Sequence, residues 1–135
     1  MRVVLDTNAL ISALLWRGAP RRVVDLAIAG RFQALTSPEL LTEFEAVLAE
    51  GFGLPQDKVE LALRDVLSYA EVVVLLEEPE IQVRDAADAT ALACALAGRA
   101  DTLVTGDQDL LSLGTVRDIR ILTVRTFLEE RARHG

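Results

Sequence analysis

Four acidic residues stand where the chain passes between a strand and a helix. Asp6 directly follows an apolar run near the amino terminus, and Asp107 follows a second short apolar run late in the chain. Asp88 opens an alanine-rich helical stretch, and Glu43 lies in a helix that follows another strand. Because the carboxyl ends of parallel strands and the helix starts that follow them meet at one sheet edge, we expect the four carboxylates to converge in one crevice.

Such a cluster calls for a cation, because unneutralised carboxylates raise one another's pKa values and cost stability. Oxygen ligands favour Mg²⁺ or Mn²⁺ over zinc or copper. Ions of this kind activate water and stabilise the leaving oxygen when a phosphodiester is hydrolysed. Three of the four acids also have an ordinary alternative role: Asp6 and Asp88 suit helix caps, and Glu43 suits an exposed helix face.

Neighbouring polar residues are candidates to support the metal ligands. Thr7 and Asn8 adjoin Asp6 and are expected to hold its carboxylate in a ligating orientation. Thr105 or Ser37, each next to a strand end, is expected to contact the ligands from outside.

The remaining composition excludes several other chemistries. Cys94 is the only cysteine, which rules out an intrachain disulfide and a cysteine zinc cluster. His134 is the only histidine and the penultimate residue, which argues against a histidine-based triad within one chain. A net charge of −7 argues against a broadly basic nucleic-acid face. A bound divalent ion would cancel part of that charge, and all basic residues except Lys58 are arginine, which suits phosphate pairing.

Length and hydropathy predict one globular domain over residues 1–135. The chain is 51% hydrophobic and 26% charged, and it has no apolar run near the roughly 20 residues of a membrane span. Met1 and Arg2 lead directly into the first strand, which leaves no room for a targeting peptide. We therefore expect a cytoplasmic protein.

Strand-like and helix-like stretches alternate, which predicts an α/β fold with a central parallel sheet of about five strands. The predicted strands cover residues 3–5, 32–36, 71–76, 102–105 and 119–122. The predicted helices cover residues 8–16, 20–29, 38 to about 50, 56–69, 85 or 88 to 96, 108–113 and 123 or 125 to 133.

The whole chain resembles a PIN domain. The resemblance rests on four motifs in order: Leu-Asp-Thr-Asn at 5–8, Ser37 to Glu43, Arg-Asp at 84–85 with Asp88, and Val-Thr-Gly-Asp-Gln-Asp-Leu-Leu at 104–111. It is similar above all to the VapC-like toxins of prokaryotic toxin–antitoxin pairs. This implies a three-layer α/β/α sandwich, a magnesium- or manganese-dependent ribonuclease that cuts RNA, an antitoxin partner and a homodimer.

Carried over by motif, the acidic quartet of the family falls on Asp6, Glu43, Asp88 and Asp107, and Asp109 matches an auxiliary acid. Two positions depart from the family pattern. Ala86 stands where relatives often have proline, and Ala89 stands where they often have a polar residue. The departures leave open which of Asp85 and Asp88 lies nearer the metal. We expect Asp88 to bind it and Asp85 to be a cap or an outer-shell acid.

Three other protein classes make different demands on the same residues. A haloacid-dehalogenase-like phosphatase needs an acid two residues after Asp6, where this chain has Asn8. A receiver domain needs a lysine near the late strands, and Lys58 lies in mid-chain. An inactive PIN-like binding or scaffold domain predicts a broken acid set, whereas all four acids are present.

Overall fold

A computed structural model describes residues 1–75 and 86–133, without the side chains of residues 86–88. The strands are β1 (Arg2–Leu5), β2 (Gln33–Thr36), β3 (Ala70–Val72), β4 (Thr102–Val104), β5 (Thr115–Val116) and β6 (Ile119–Leu122). The helices are α1 (Thr7–Leu15), α2 (Gly18–Ile28), α3 (Pro38–Ala46), α4 (Gln56–Tyr69), α5 (Ala86–Ala97), α6 (Gln108–Leu111) and α7 (Val124–Arg133), and a π-helical turn over Val47–Gly51 continues α3. Across these two ranges the structure has no helix with the length and hydropathy of a membrane span.

The strands form one sheet in the order β3-β2-β1-β4-β6-β5. The first five strands in that order are parallel, which confirms the predicted fold class. The sixth strand, β5, pairs antiparallel with β6 at one edge. The turn between them places Arg117 and Asp118 at φ values of 45° and 70°. The sequence did not predict β5, because a two-residue strand has no hydrophobic periodicity.

Two apolar clusters cover the two faces of the sheet, as a three-layer α/β/α sandwich requires. Val3 and Leu5 of β1 pack into one cluster, together with residues of α1, α2, α3, α4 and α7. Val4 points to the other face and packs with residues of α5 and α6. This alternation explains the uninterrupted apolar run of β1, because a central parallel strand is buried on both faces.

Most element boundaries lie close to their predicted positions, and differences occur at the start of α2 and the end of β3. Helix α2 starts at Gly18, ahead of Pro20, because proline is tolerated in the first turn, where its missing N–H would have no partner. Strand β3 ends at Val72, short of the predicted residue 76, which lies outside the described residues.

Helix α5 lies close to the sheet through small buried residues. Cys94 is one of them, and burial raises the pKa of its thiol to about 12. Gly98, directly after the last residue of α5, also lies close to the sheet. A Cβ atom there would lie 2.9 Å from Leu35 Cδ1 and 2.9 Å from Val73 Cγ2.

We therefore expect Gly98→Ala to lower the free energy of unfolding by about 1–3 kcal/mol, the usual cost of overpacking a core. Chemical denaturation would measure it. Gly106→Ala is the matched control, because a Cβ atom there meets nothing within 4 Å. Equal stability of Gly98→Ala and the parent would contradict the close packing of α5 on the sheet.

Candidate active site

The carboxyl ends of β1 and β4 form the topological switch point of the sheet. From β1 the chain first adds β2 and β3 on one side, and it then returns to add β4 on the other side. Ligands of open α/β sheets bind in the crevice that forms at such a point. Asp6 follows β1 directly, and Thr105 and Asp107 follow β4. The structure thus places two of the four predicted acids at the same crevice.

Asp6 is held in one orientation by two hydrogen bonds. Its Oδ1 accepts a hydrogen bond from the backbone N–H of Asn8 at 2.7 Å, which caps α1. Its Oδ2 accepts one from the hydroxyl of Thr105 at 2.5 Å. The residue is only 8% exposed. The support expected from Asn8 therefore comes from its backbone.

Thr105 connects the two acids. Its fully buried hydroxyl donates to Asp6 and accepts a hydrogen bond from the backbone N–H of Asp107 at 3.0 Å. Asp107 in turn caps α6, since its Oδ1 accepts from the N–H groups of Asp109 at 2.8 Å and Leu110 at 3.3 Å. One hydroxyl thus fixes Asp6 relative to the loop that carries Asp107.

The electrostatics of Asp6 disfavour its charge in the absence of a cation. Burial raises the pKa of the Asp6 carboxyl. Hydrogen bonds from Thr105 and Asn8 oppose that shift, and the negative charge of Asp107 adds to it. A bound cation would relieve both the burial penalty and the repulsion.

Ser37 and Thr7, which were also predicted to support the metal ligands, differ in the contacts that their hydroxyls make. Ser37 caps α3, since its hydroxyl accepts from the N–H of Leu40 at 3.2 Å, and it thereby orients the helix that carries Glu43. The hydroxyl of Thr7 is buried and has no hydrogen-bond partner within residues 1–75 and 86–133. The structure thus gives no hydrogen bond by which the Thr7 side chain would hold Asp6.

The remaining acids of the quartet are only partly described. Glu43 is half-buried in α3, which packs against both α1 and α5. Asp88 lies in the first turn of α5, but its side chain is outside the described part, as is the whole of Asp85. The side chains that the structure does describe contain no group of three acidic, histidine or cysteine residues able to hold a metal ion. The complete quartet therefore stays a prediction.

A recess of about 260 Å³ opens beside Asp6, with Thr105 and Gly106 in its wall. Ser12 of α1 and Arg125 of α7 also line it. The sequence prediction missed this feature, because its lining comes from segments far apart in the sequence, including α1, the loop after β4 and the start of α7. No motif at Ser12 or Arg125 marks it.

Removing the bridging hydroxyl tests the geometry of Thr105. Thr105→Val keeps the shape of the side chain but removes the partner of the buried Asp6 Oδ2 and of the partly buried Asp107 N–H. We therefore expect it to lower the free energy of unfolding by about 1–3 kcal/mol. Thr105→Ser keeps the hydroxyl and serves as the control. Chemical denaturation would measure both variants, and a valine variant as stable as the serine variant would contradict the bridge.

The raised pKa of Asp6 predicts a pH-dependent effect of Asp6→Asn. Because the folded protein holds this proton more tightly than the unfolded chain, its stability falls as the pH rises from the ordinary aspartate pKa of 3.8 through the folded value. Asparagine cannot ionise and still caps a helix. In chelator, Asp6→Asn should therefore melt above the parent at neutral pH, and the difference should close below about pH 3.8.

Thermal melts across this pH range would measure the difference in Tm. Asp118→Asn, in an exposed turn, is the control and should follow the parent throughout. A constant difference between Asp6→Asn and the parent, or a lower Tm for the variant at neutral pH, would show that burial does not penalise the Asp6 charge.

Comparison with known proteins gives consistent results. The sequence of the chain matches the PIN domain family over residues 2–109. It has no significant match among curated proteins. Among the solved structures that share the fold are three with identities to this chain below 25%, and at such identities the likeness shows the fold alone.

The first is the structure of VapBC2 from Rickettsia felis bound to a DNA fragment from the VapBC2 promoter. Its TM-score is 0.68, with 16% identity over 91% of this chain and 98% of that chain. The second is PAE2754 from Pyrobaculum aerophilum, with a TM-score of 0.65 and 22% identity over 98% of this chain and 90% of that chain. The third is the PIN domain endonuclease Utp24, with a TM-score of 0.58 and 17% identity over 90% of this chain and 84% of that chain. With the family match spanning most of the sequence, the chain belongs to the PIN domain family.

Proposed function

We propose that this protein is a metal-dependent endoribonuclease and the toxin of a toxin–antitoxin pair. The observation that carries the proposal is the buried carboxylate of Asp6, bridged through Thr105 to Asp107 at the switch point of the sheet. Membership of the PIN domain family supports a nuclease, as does the likeness to a PIN domain endonuclease.

The donor chemistry at this crevice suits Mg²⁺ or Mn²⁺. Asp6 and Asp107 supply hard oxygen ligands, and burial penalises the negative charge of Asp6, which a cation would offset. We propose that Glu43 and Asp88 complete the ligand set and that Asp85 and Asp109 lie outside it. When bound, the metal supplies the activation of water and the stabilisation of the leaving oxygen.

The residues of the chain fix the geometry of this reaction. Hydrolysis adds one water across a P–O bond and leaves a phosphate monoester and a free hydroxyl. Thr105 and the Asn8 N–H hold the Asp6 carboxylate so that it need not reorganise. Gly106, exposed and without a side chain, leaves room for the RNA backbone beside Thr105. His134 has no part in the mechanism we propose.

An exposed apolar surface supports the proposal that the chain binds a protein partner. Trp16 and Phe52, 68% and 46% exposed, pack edge to face with ring centroids 6.2 Å apart. A groove of about 500 Å³ between α1 and α4 is lined by Leu14, Leu15 and Leu61 among others. Exposed apolar patches of this kind mark interaction sites. The likeness to VapBC2 supports the proposal that one partner is an antitoxin. We propose that a second copy of this chain is another partner, in a homodimer.

We further propose that the antitoxin covers the acidic crevice with an arginine in place of the metal. A cluster of carboxylates is a ready site for a guanidinium group, which pairs with them through charge-assisted hydrogen bonds. An inactive scaffold domain is the competing function, and it would leave Asp6 and Asp107 without a chemical role.

Incubation with a mixed RNA panel tests the proposal. We expect cleavage with Mg²⁺ or Mn²⁺, none with chelator, and a loss of several orders of magnitude in Asp6→Asn, because asparagine keeps the shape but removes the charge that holds the ion. Asp118→Asn is the matched control and should cut like the parent. Cleavage that persists in chelator, or in Asp6→Asn at the rate of the parent, would exclude this mechanism. Absence of cleavage by the parent would favour the scaffold domain.

A further inference from the structure

The recess beside Asp6 has the size and composition of a site for one nucleobase. Its volume of about 260 Å³ lies just below the roughly 300–1,000 Å³ of small-molecule sites. Ala9, Pro20 and Val124 are apolar residues of its lining, and the lining also includes Asn8, which carries an amide, and Ser12, which carries a hydroxyl. Together these groups provide an apolar surface for a flat ring and hydrogen-bonding groups for its edge.

The recess shares a wall with the candidate active site. Thr105 lines it and also donates the hydrogen bond to Asp6. Gly106 lines it as well, and no side chain there separates the recess from the loop that carries Asp107. A base held in the recess would therefore belong to a nucleotide next to the phosphodiester at Asp6.

A positive charge lies at the rim of the recess. Arg125 sits in the first turn of α7, where the backbone N–H groups also favour an anion. Its guanidinium pairs with Glu129 at 3.1 Å, and the two side chains are 88% and 52% exposed. Because exposed pairs of this kind contribute little, Arg125 can exchange Glu129 for an RNA phosphate at small cost. In a chain of net charge −7, such a local cation matters for holding RNA.

We propose that this recess binds one unpaired base of the RNA adjacent to the cut and so gives the enzyme a base preference at that position. The inference rests on the proposed ribonuclease function and deepens it. Proteins commonly recognise single-stranded RNA through bases turned out of the stack and bonded at their edges. Arg125 holds the adjoining phosphate and adds affinity without adding base preference.

Abasic scanning of a single-stranded RNA with one mapped cut site tests the inference. For the parent, removing the base at one position beside the cut should lower kcat/KM by about 10- to 100-fold, the scale of a lost base contact. Ser12→Phe, which fills the recess, should lower kcat/KM on the intact RNA by a similar factor. It should show no further loss on the abasic RNA, because both changes remove the same contact.

Three variants and a stability check complete the design. Ser68→Phe places the same bulk on exposed α4, outside the recess, and should behave like the parent. Arg125→Gln should weaken cleavage of every sequence alike and flatten its salt dependence. If Ser12→Phe melts well below the parent, Ser12→Leu replaces it as the smaller filling residue.

The outcomes separate the two proposals. A parent that cuts RNA with no base-sensitive position beside the cut would overturn the recess as a base site and leave the ribonuclease in place. The same holds if the filled variant remains sensitive to the abasic position. A parent that cuts no RNA would overturn the ribonuclease proposal, and this inference with it.

Discussion

The hydrogen bond from Thr105 to Asp6 is the contact on which the arrangement of the site depends. It crosses from the end of β4 to the end of β1, two neighbouring strands whose order creates the switch point. It also keeps a carboxylate in a place where burial disfavours its charge. Carboxylates whose pKa is shifted by burial in this way are found preferentially at functional sites. In this chain the same hydroxyl accepts the N–H of Asp107, so both acids are aligned through one side chain.

Much of the fold could be predicted from the sequence, because a parallel sheet leaves a strong hydrophobic signature. Val3, Val4 and Leu5 are all buried, and a short apolar run between polar residues is typical of a strand covered on both faces. The order of the strands could not be predicted in the same way. The order of the strands depends on long-range packing of the helices, such as the contacts of α3 with both α1 and α5. β5 was missed because its pairing depends on the turn at Arg117 and Asp118.

The candidate site, like the fold, could be predicted from the sequence only in part. The residue types indicated carboxylate and metal chemistry, since one histidine and one cysteine leave few alternatives. The structure places Asp6 and Asp107 at the same crevice, joined through Thr105. The metal-binding roles of these two acids, of Glu43 and of Asp88 stay predictions. Details that depend on local backbone geometry could not be predicted from the sequence. Asn8 supports Asp6 through its N–H, and the recess is lined by residues distant in the sequence, such as Ser12 and Arg125.

The central claim is that carboxylates at the β1–β4 switch point hold a divalent cation. Calorimetric titration with Mn²⁺ tests it directly and independently of any substrate. The account predicts that the parent binds Mn²⁺ and that Asp6→Asn and Asp107→Asn each weaken the binding by more than about tenfold, the lower end of the typical loss when an outer-shell partner is removed. A parent that binds no Mn²⁺, or variants that bind it as tightly as the parent, would contradict the account.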